Sequence, residues 1–232
     1  MKTLFLFATL LSSIAVSYNL KAQDTHVLGI FPTIDHSGKF GKASEYGLYY
    51  FLAAPLSELT SNNSVKTPNA LLFYLEQSYT YHFSDYLSGT GSYVYQEENA
   101  FRANTIRENR IYLQLAYAYS QNNNHFKHRL RHDSRFFSDQ FKHRLRYQFS
   151  FKHEWESGNY LTFGQEFFFE LTKNSSKPYN ENWANAAYGI QLNERNFLEL
   201  GVLYVTWNTG GSNWFNLWYF QPTWVSKLNF KN

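Results

Sequence analysis

The stretch His125–Trp155, HFKHRLRHDSRFFSDQFKHRLRYQFSFKHEW, decides the architecture. From Phe141 the odd positions hold Phe141, His143, Leu145, Tyr147, Phe149, Phe151, His153 and Trp155. The even positions hold Lys142, Arg144, Arg146, Gln148, Ser150, Lys152 and Glu154. Successive strand side chains point to opposite faces, so this reads as a strand with one aromatic face and one charged face. The hexapeptide FKHRLR stands at Phe126–Arg131 and again at Phe141–Arg146. That offset covers one strand and a tight turn, and it is too short for a solenoid unit. Two neighbouring strands have met the same problem in the same way.

The pattern extends in both directions. In Arg110–Tyr119, Ile111, Leu113, Leu115, Tyr117 and Tyr119 oppose Arg110, Tyr112, Gln114, Ala116 and Ala118. In Tyr160–Leu171, Leu161, Phe163, Phe167, Phe169 and Leu171 oppose Thr162, Gly164, Glu166 and Glu170. Residues 70–83 alternate likewise, and 28–35, 45–54, 86–96, 184–191, 196–207 and 213–230 are further strand candidates. Between them lie Asn, Gly, Ser and Asp clusters such as 61–64, 121–124, 157–159, 173–182 and 208–213. These are turn compositions, and their spacing predicts antiparallel hairpins throughout.

The first 22 residues differ in kind. Lys2 precedes a largely apolar run from Leu4 to Val16, and the segment ends on the small Ala22. This is the pattern of a cleaved secretory signal peptide, too short in its apolar run to span a bilayer. The expected organisation is therefore a signal peptide at 1–22 and a single β-barrel domain at 23–232. The whole chain has 21 Lys+Arg against 18 Asp+Glu, or +3. Removing Lys2 and Lys21 leaves 19 against 18, or +1, so the hint of anionic partners nearly vanishes.

Aromatics make up 20% of the chain, yet its mean hydropathy is −0.49. The first value excludes disorder and the second excludes a bundle of apolar membrane helices. Zero Cys excludes disulfide frameworks, thiol nucleophiles and Cys zinc sites. Alternating strands then have two solutions. A soluble barrel turns the apolar face inward, and an outer-membrane barrel turns it toward lipid. Here the polar face carries dense arginines on adjacent strands, and the opposite face is rich in Phe, Tyr, Leu and Trp. The strands also match the length of a tilted membrane-spanning strand, about 9–11 residues. The expected fold is an all-β, antiparallel up-and-down transmembrane barrel of about ten to twelve strands in the outer membrane. If 28–35 spans, parity puts 173–182 with the short periplasmic turns. If it does not, ten strands result and the long connections share one end. Pro222 argues for a break within 213–230, since Pro is poorly tolerated in a paired ladder.

The pair RLRHDSRFF and FKHRLRYQFSF, followed by GQEFFFEL, resembles the domain-of-unknown-function 2490 family. The resemblance implies an outer-membrane barrel of the kind predicted mostly in Bacteroidota, with R-x-R on successive strands followed by an acidic strand. It implies no activity. The chain departs from the aromatic ending common in such barrels, since Lys231 and Asn232 follow Phe230.

A two-residue turn at Ser138-Asp139 sets a hairpin register in which Asp133 faces Arg144, Arg131 faces Arg146 and Arg135 faces Lys142. The next strand can bring Glu170 beside Arg144 or Arg146, and Glu108 or Arg110 can lie opposite Arg135. Like charges directly opposite destabilise. Arg110, Arg129, Arg131, Arg135, Arg144 and Arg146 therefore need Glu76, Glu108, Asp133, Glu166 and Glu170 as partners. The expectation is a luminal lattice that fills a narrow barrel, with a surplus of arginine that would suit a porin-like channel for anions or small solutes. His132 and Ser134 share a strand face and are the catalytic candidates for an outer-membrane lipid-modifying hydrolase. Glu166 and Glu170 make poor acids beside so many arginines. A soluble periplasmic ligand-binding barrel is the third reading. No metal or cofactor motif stands out. Expected partners are outer-membrane lipid, the barrel-assembly machinery and small solutes, and no nucleic acid.

Overall fold

The computed structural model describes residues 25–41, 43–59, 65–66, 71–100, 103–171, 179–208 and 214–230. The segment read as a signal peptide lies outside the described residues. The elements are β1 (Thr25–Ile30), β2 (Thr33–Phe40), β3 (Ser44–Leu59), β4 (Val65–Lys66), β5 (Leu72–His82), β6 (Leu87–Glu98) and β7 (Ile106–Gln121). They continue as β8 (Asn124–Phe137), β9 (Phe141–Glu154), β10 (Tyr160–Glu170), β11 (Tyr179–Gln191), β12 (Asn196–Asn208) and β13 (Trp214–Phe230).

From β3 to β13 each long strand pairs antiparallel with the next. The two-residue β4 pairs only with β3. β1 and β2 are two halves of one stave, inserted between β3 and β13 and closing the barrel. Eleven staves result among the described residues. An odd number cannot alternate all the way round, so one seam runs parallel: β1 and β2 pair parallel with β13.

That seam settles one alternative the sequence left open and overturns the break expected at Pro222. Residues 28–35 lie within a stave, and 214–230 form the single strand β13 with no break at Pro222. The register is unchanged across the seam, from Ile30 beside Phe220 to Thr33 beside Thr223. Pro32 therefore stands abreast of Pro222, where β1 gives way to β2. Phe31 turns its N–H and carbonyl toward β13, and the carbonyl that an N–H at position 222 would reach accepts Thr33 Oγ1 at 3.2 Å instead, so β13 continues unbroken. The flanking Phe31 N–H still donates to the Phe220 carbonyl at 2.8 Å.

The connections sort by end. Residues 41–43, 83–86, 122–123, 155–159 and 192–195 join strands at one end. Residues 60–71, 99–105, 138–140, 171–178 and 209–213 join them at the other and are mostly longer. Asn122 sits at φ 53° in the tightest of the short turns, a left-handed conformation that Asn tolerates well.

Side-chain orientation follows the parity. On β7, Leu113 is 68% exposed on the outer face, and Ile111 and Leu115 flank it there. Glu108, Arg110, Tyr112 and Ala116 are buried inside. The interior is not polar throughout. Phe31, Phe51, Tyr74, Leu203, Val205 and Tyr219 pack as an apolar cluster on the side built from β1, β3, β5, β12 and β13. Phe31 stacks on Phe51 at 4.1 Å and Phe51 on Tyr74 at 4.6 Å. A charged wall from β7–β10 faces this apolar wall.

Candidate functional site

The charged wall is a chain of shared carboxylates. Glu108 of β7 receives Arg135 through two bonds, Nε at 2.7 Å and Nη2 at 2.8 Å. Arg110 Nε donates to the same carboxylate at 2.8 Å, and its Nη2 reaches Gln96 at 3.2 Å. Arg110 and Arg135 are directly opposite in register, and Glu108 bridges the like charges. A two-pronged guanidinium–carboxylate contact is the strongest such geometry available to side chains.

Asp133 of β8 sits at the centre with no exposure to solvent. Its Oδ2 accepts Arg144 Nη2 at 3.1 Å and Nε at 3.2 Å. Arg146 Nη1 approaches to 3.6 Å and Arg110 Nη1 to 3.9 Å. Glu166 of β10 takes Arg146 through two bonds of 2.8 Å and Arg129 Nη2 at 2.8 Å. Glu76 of β5 accepts Tyr74 Oη at 2.6 Å and Tyr112 Oη at 2.5 Å, with Arg131 Nη1 at 3.9 Å. Arg131 also lies over the Tyr112 ring at 3.7 Å and donates to Gln114 at 3.2 Å.

The hairpin registers stand as the turn at 138–139 dictates. Asp133 pairs with Arg144, Arg131 with Arg146 and Arg135 with Lys142. Glu170 is beside Arg144 in register, and its carboxylate also comes within 3.9 Å of Arg135 Nη1. The second carboxylate on Arg144, beside Asp133, is Glu181, at 3.2 Å, which also accepts Trp183 Nε1 at 2.6 Å. Glu181 lies in the stretch read as a loop, where β11 in fact begins earlier than its alternation suggests. Adding it changes the balance. Six guanidiniums, Arg110, Arg129, Arg131, Arg135, Arg144 and Arg146, now meet six carboxylates, Glu76, Glu108, Asp133, Glu166, Glu170 and Glu181. The arginine surplus expected from β8 and β9 disappears, because its counter-charges come from other strands. Phe168, 1% exposed, lies under Arg144 and Arg146 at 4.8 and 4.5 Å. Its parity within GQEFFFEL already marked it as inward.

Two spaces adjoin the wall. One of about 1310 Å³ reaches from Asn185 and Gln148 to the connector residues Asn99 and Asp139. The other, about 700 Å³, lies toward the short turns among Lys127, Lys152, Lys227 and Glu199. The two share no lining residue; Arg129, Arg131, Arg146 and Glu166 bound the larger one.

His132 and Ser134 are on the outer face, half-buried among apolar side chains. His132 stacks on His143 at 5.2 Å, and Ser134 is directly opposite His143 in register. His143 Nδ1 is buried without a hydrogen-bond partner, so no bond joins that nitrogen to Ser134. The imidazole nearest Ser134 across the ladder is thus His143 rather than the sequence neighbour His132.

The fold and site define a class: a closed, mostly antiparallel β-barrel with an ion-paired interior and an apolar exterior. Within that class, residues 59–216 match the family model described as protein of unknown function DUF2490, and the chain belongs to this family. No curated protein and no solved structure matches it.

Proposed function

We propose that this protein is an integral outer-membrane barrel, exported by its N-terminal leader, inserted by the barrel-assembly machinery and closed by its own side chains. The observation that carries the membrane reading is the inverted surface. Leu113, Leu115, Ile111, Phe220 and Val202 are 47–68% exposed around the outside, while Asp133 and Glu108 are 0–1% exposed inside. A soluble monomer rarely carries an apolar patch beyond a few hundred Å². Aromatic side chains gather outside near both ends, Tyr81, Phe83, Tyr86, Tyr117 and Trp155 at the short-turn end and Phe136, Phe141 and Tyr179 at the other. Such girdles suit the two lipid–water boundaries. Short turns belong to the periplasmic side of such barrels, so the longer connections face outward.

A closed lumen is favoured over an anion channel by the balanced six-to-six lattice. Small barrels are generally filled by side chains. Purified, refolded protein is expected to migrate differently when heated and to give no single-channel steps in a planar bilayer. Steady steps would overturn the closed reading, and recovery in the soluble periplasmic fraction would overturn the membrane reading.

One observation favours a second reading, a lipid-modifying hydrolase: Ser134 and two imidazoles meet on the lipid-facing surface. Polar groups there are uncommon and mark functional sites. Phospholipid turnover lost on Ser134→Ala would support it, and absence of turnover by the unaltered protein would end it.

A further inference from the structure

The larger interior space has a lining of two unlike kinds, charged and polar groups beside aromatic ones. The forked groups Arg135, Arg144, Glu170 and Glu181 line it together with Trp183, Trp207, Phe215 and Leu217, and the two sets meet where Glu181 stands abreast of Trp207 and accepts Trp183 Nε1 at 2.6 Å. Four carboxamides, Gln140, Gln148, Asn185 and Gln221, also line it, and none makes a side-chain hydrogen bond to another described residue. Trp207 is 46% exposed and stands beside Phe215 at 5.9 Å. The space therefore offers unused donors and acceptors next to accessible aromatic faces.

We propose that this cavity is a binding site for a short neutral oligosaccharide entering from the end that carries Asn99 and Asp139. The charge balance selects a neutral ligand. Each of the six guanidiniums already has a carboxylate, so an anion gains no unpaired partner and meets carboxylates as well. The polar lining selects hydroxyls. A hydroxyl both donates and accepts, and so can bridge a carboxamide, a carboxylate and a guanidinium in one plane. The aromatic lining selects a ligand with an apolar side. A pyranose presents its C–H face to a ring while its hydroxyls point outward. A fatty-acyl chain would cover the aromatic lining but leave the carboxamides and forked groups desolvated and unpaired, which is costly. The volume, about 1310 Å³, exceeds the usual range for a small-molecule pocket, roughly 300–1,000 Å³, and admits several sugar rings.

This inference rests on the closed-barrel reading, and the two fail in different experiments. Refolded barrel in a zwitterionic detergent, chosen because glycosidic detergents would compete, is titrated calorimetrically with maltotriose, xylotriose and chitotriose. Citrate and laurate serve as charged comparisons. At least one trisaccharide is expected to bind, with an affinity that changes less than about twofold between low and high salt, because no net charge is screened. Trp207→Ala and Asn185→Ala are each expected to weaken binding about tenfold, a change of one unit in log Kd. Trp218→Ala, on the outer face and 42% exposed, is expected to leave it unchanged. Heat-dependent migration of each variant shows that it has folded. Absence of binding by all three trisaccharides overturns the proposal. So does binding that Trp207→Ala and Asn185→Ala do not weaken, or tighter, salt-sensitive binding of citrate. Single-channel steps in the same preparation would overturn the closed barrel and leave the calorimetric result to stand on its own.

Discussion

Asp133 and Arg144 face each other across the β8–β9 ladder, and the fully buried Asp133 Oδ2 holds the Arg144 guanidinium by two bonds of 3.1 and 3.2 Å. Arg146 and Arg110 crowd the same oxygen. One carboxylate therefore neutralises a junction where guanidiniums converge. Asp133→Asn keeps the shape and removes the charge. Breaking a buried ion pair on one side costs about 3–5 kcal/mol, because the remaining charges stay buried without compensation. The temperature at which the folded form converts on gels is expected to drop sharply, and an unchanged midpoint would show that the junction carries no charge of consequence.

The Glu166–Arg146 contact gives a sharper test. Glu166→Gln alone leaves Arg146 and Arg129 short of a counter-charge, with the same expected loss of about 3–5 kcal/mol. Glu166→Gln combined with Arg146→Met removes both charges while retaining bulk beside Phe168. Replacing a whole buried pair by packed side chains is often near neutral, so the double variant is expected to recover much of the stability in urea titration. A double variant as weak as the sum of its parts would mean that the two side chains act independently.

Leu113 tests the outer surface. Leu113→Arg places a cation at the middle of the apolar band, where depth-dependent penalties reach about 2–4 kcal/mol in a bilayer. Refolding into vesicles is expected to weaken by that amount. Gln114→Arg, one residue along and facing the interior, places the cation out of reach of lipid, and that difference would vanish if the exterior were in water.

Pro222 tests the seam. Pro222→Ala gains an N–H facing the Phe31 carbonyl, which already accepts Thr33 Oγ1 at 3.2 Å, and is expected to shift stability by less than about 0.5 kcal/mol. Leu203→Pro, in a stretch of β12 paired on both sides, removes a ladder bond and is expected to block folding. Comparable behaviour of the two variants would place the seam elsewhere.

Much of the charged wall was legible because hairpin register is local. Once Ser138-Asp139 is read as the turn, Asp133 must face Arg144 and Arg131 must face Arg146. The next turn left Glu166 beside Gln148 or Ser150, and the ladder takes Gln148. Glu181 was not legible, since its strand starts among turn-like residues and its alternation is weak there. Nor were Tyr74 and Tyr112 as partners of Glu76: their parity pointed inward, but nothing in a single strand says which carboxylate an inward hydroxyl will find.

By itself the sequence determined the alternation, the hairpins, the inward set of arginines and acids, and membership of a barrel class, because each depends on neighbours a few residues apart. Tertiary structure alone decided the rest. Leu203 and Val205 join Phe31 and Phe51 inside, yet β12 carries apolar residues on both faces, so only closure of the barrel selects the inner one. The parallel seam, the odd number of staves and the Glu181 contact that balances the arginines likewise arise where strands far apart in sequence are brought side by side, and no local period encodes that meeting.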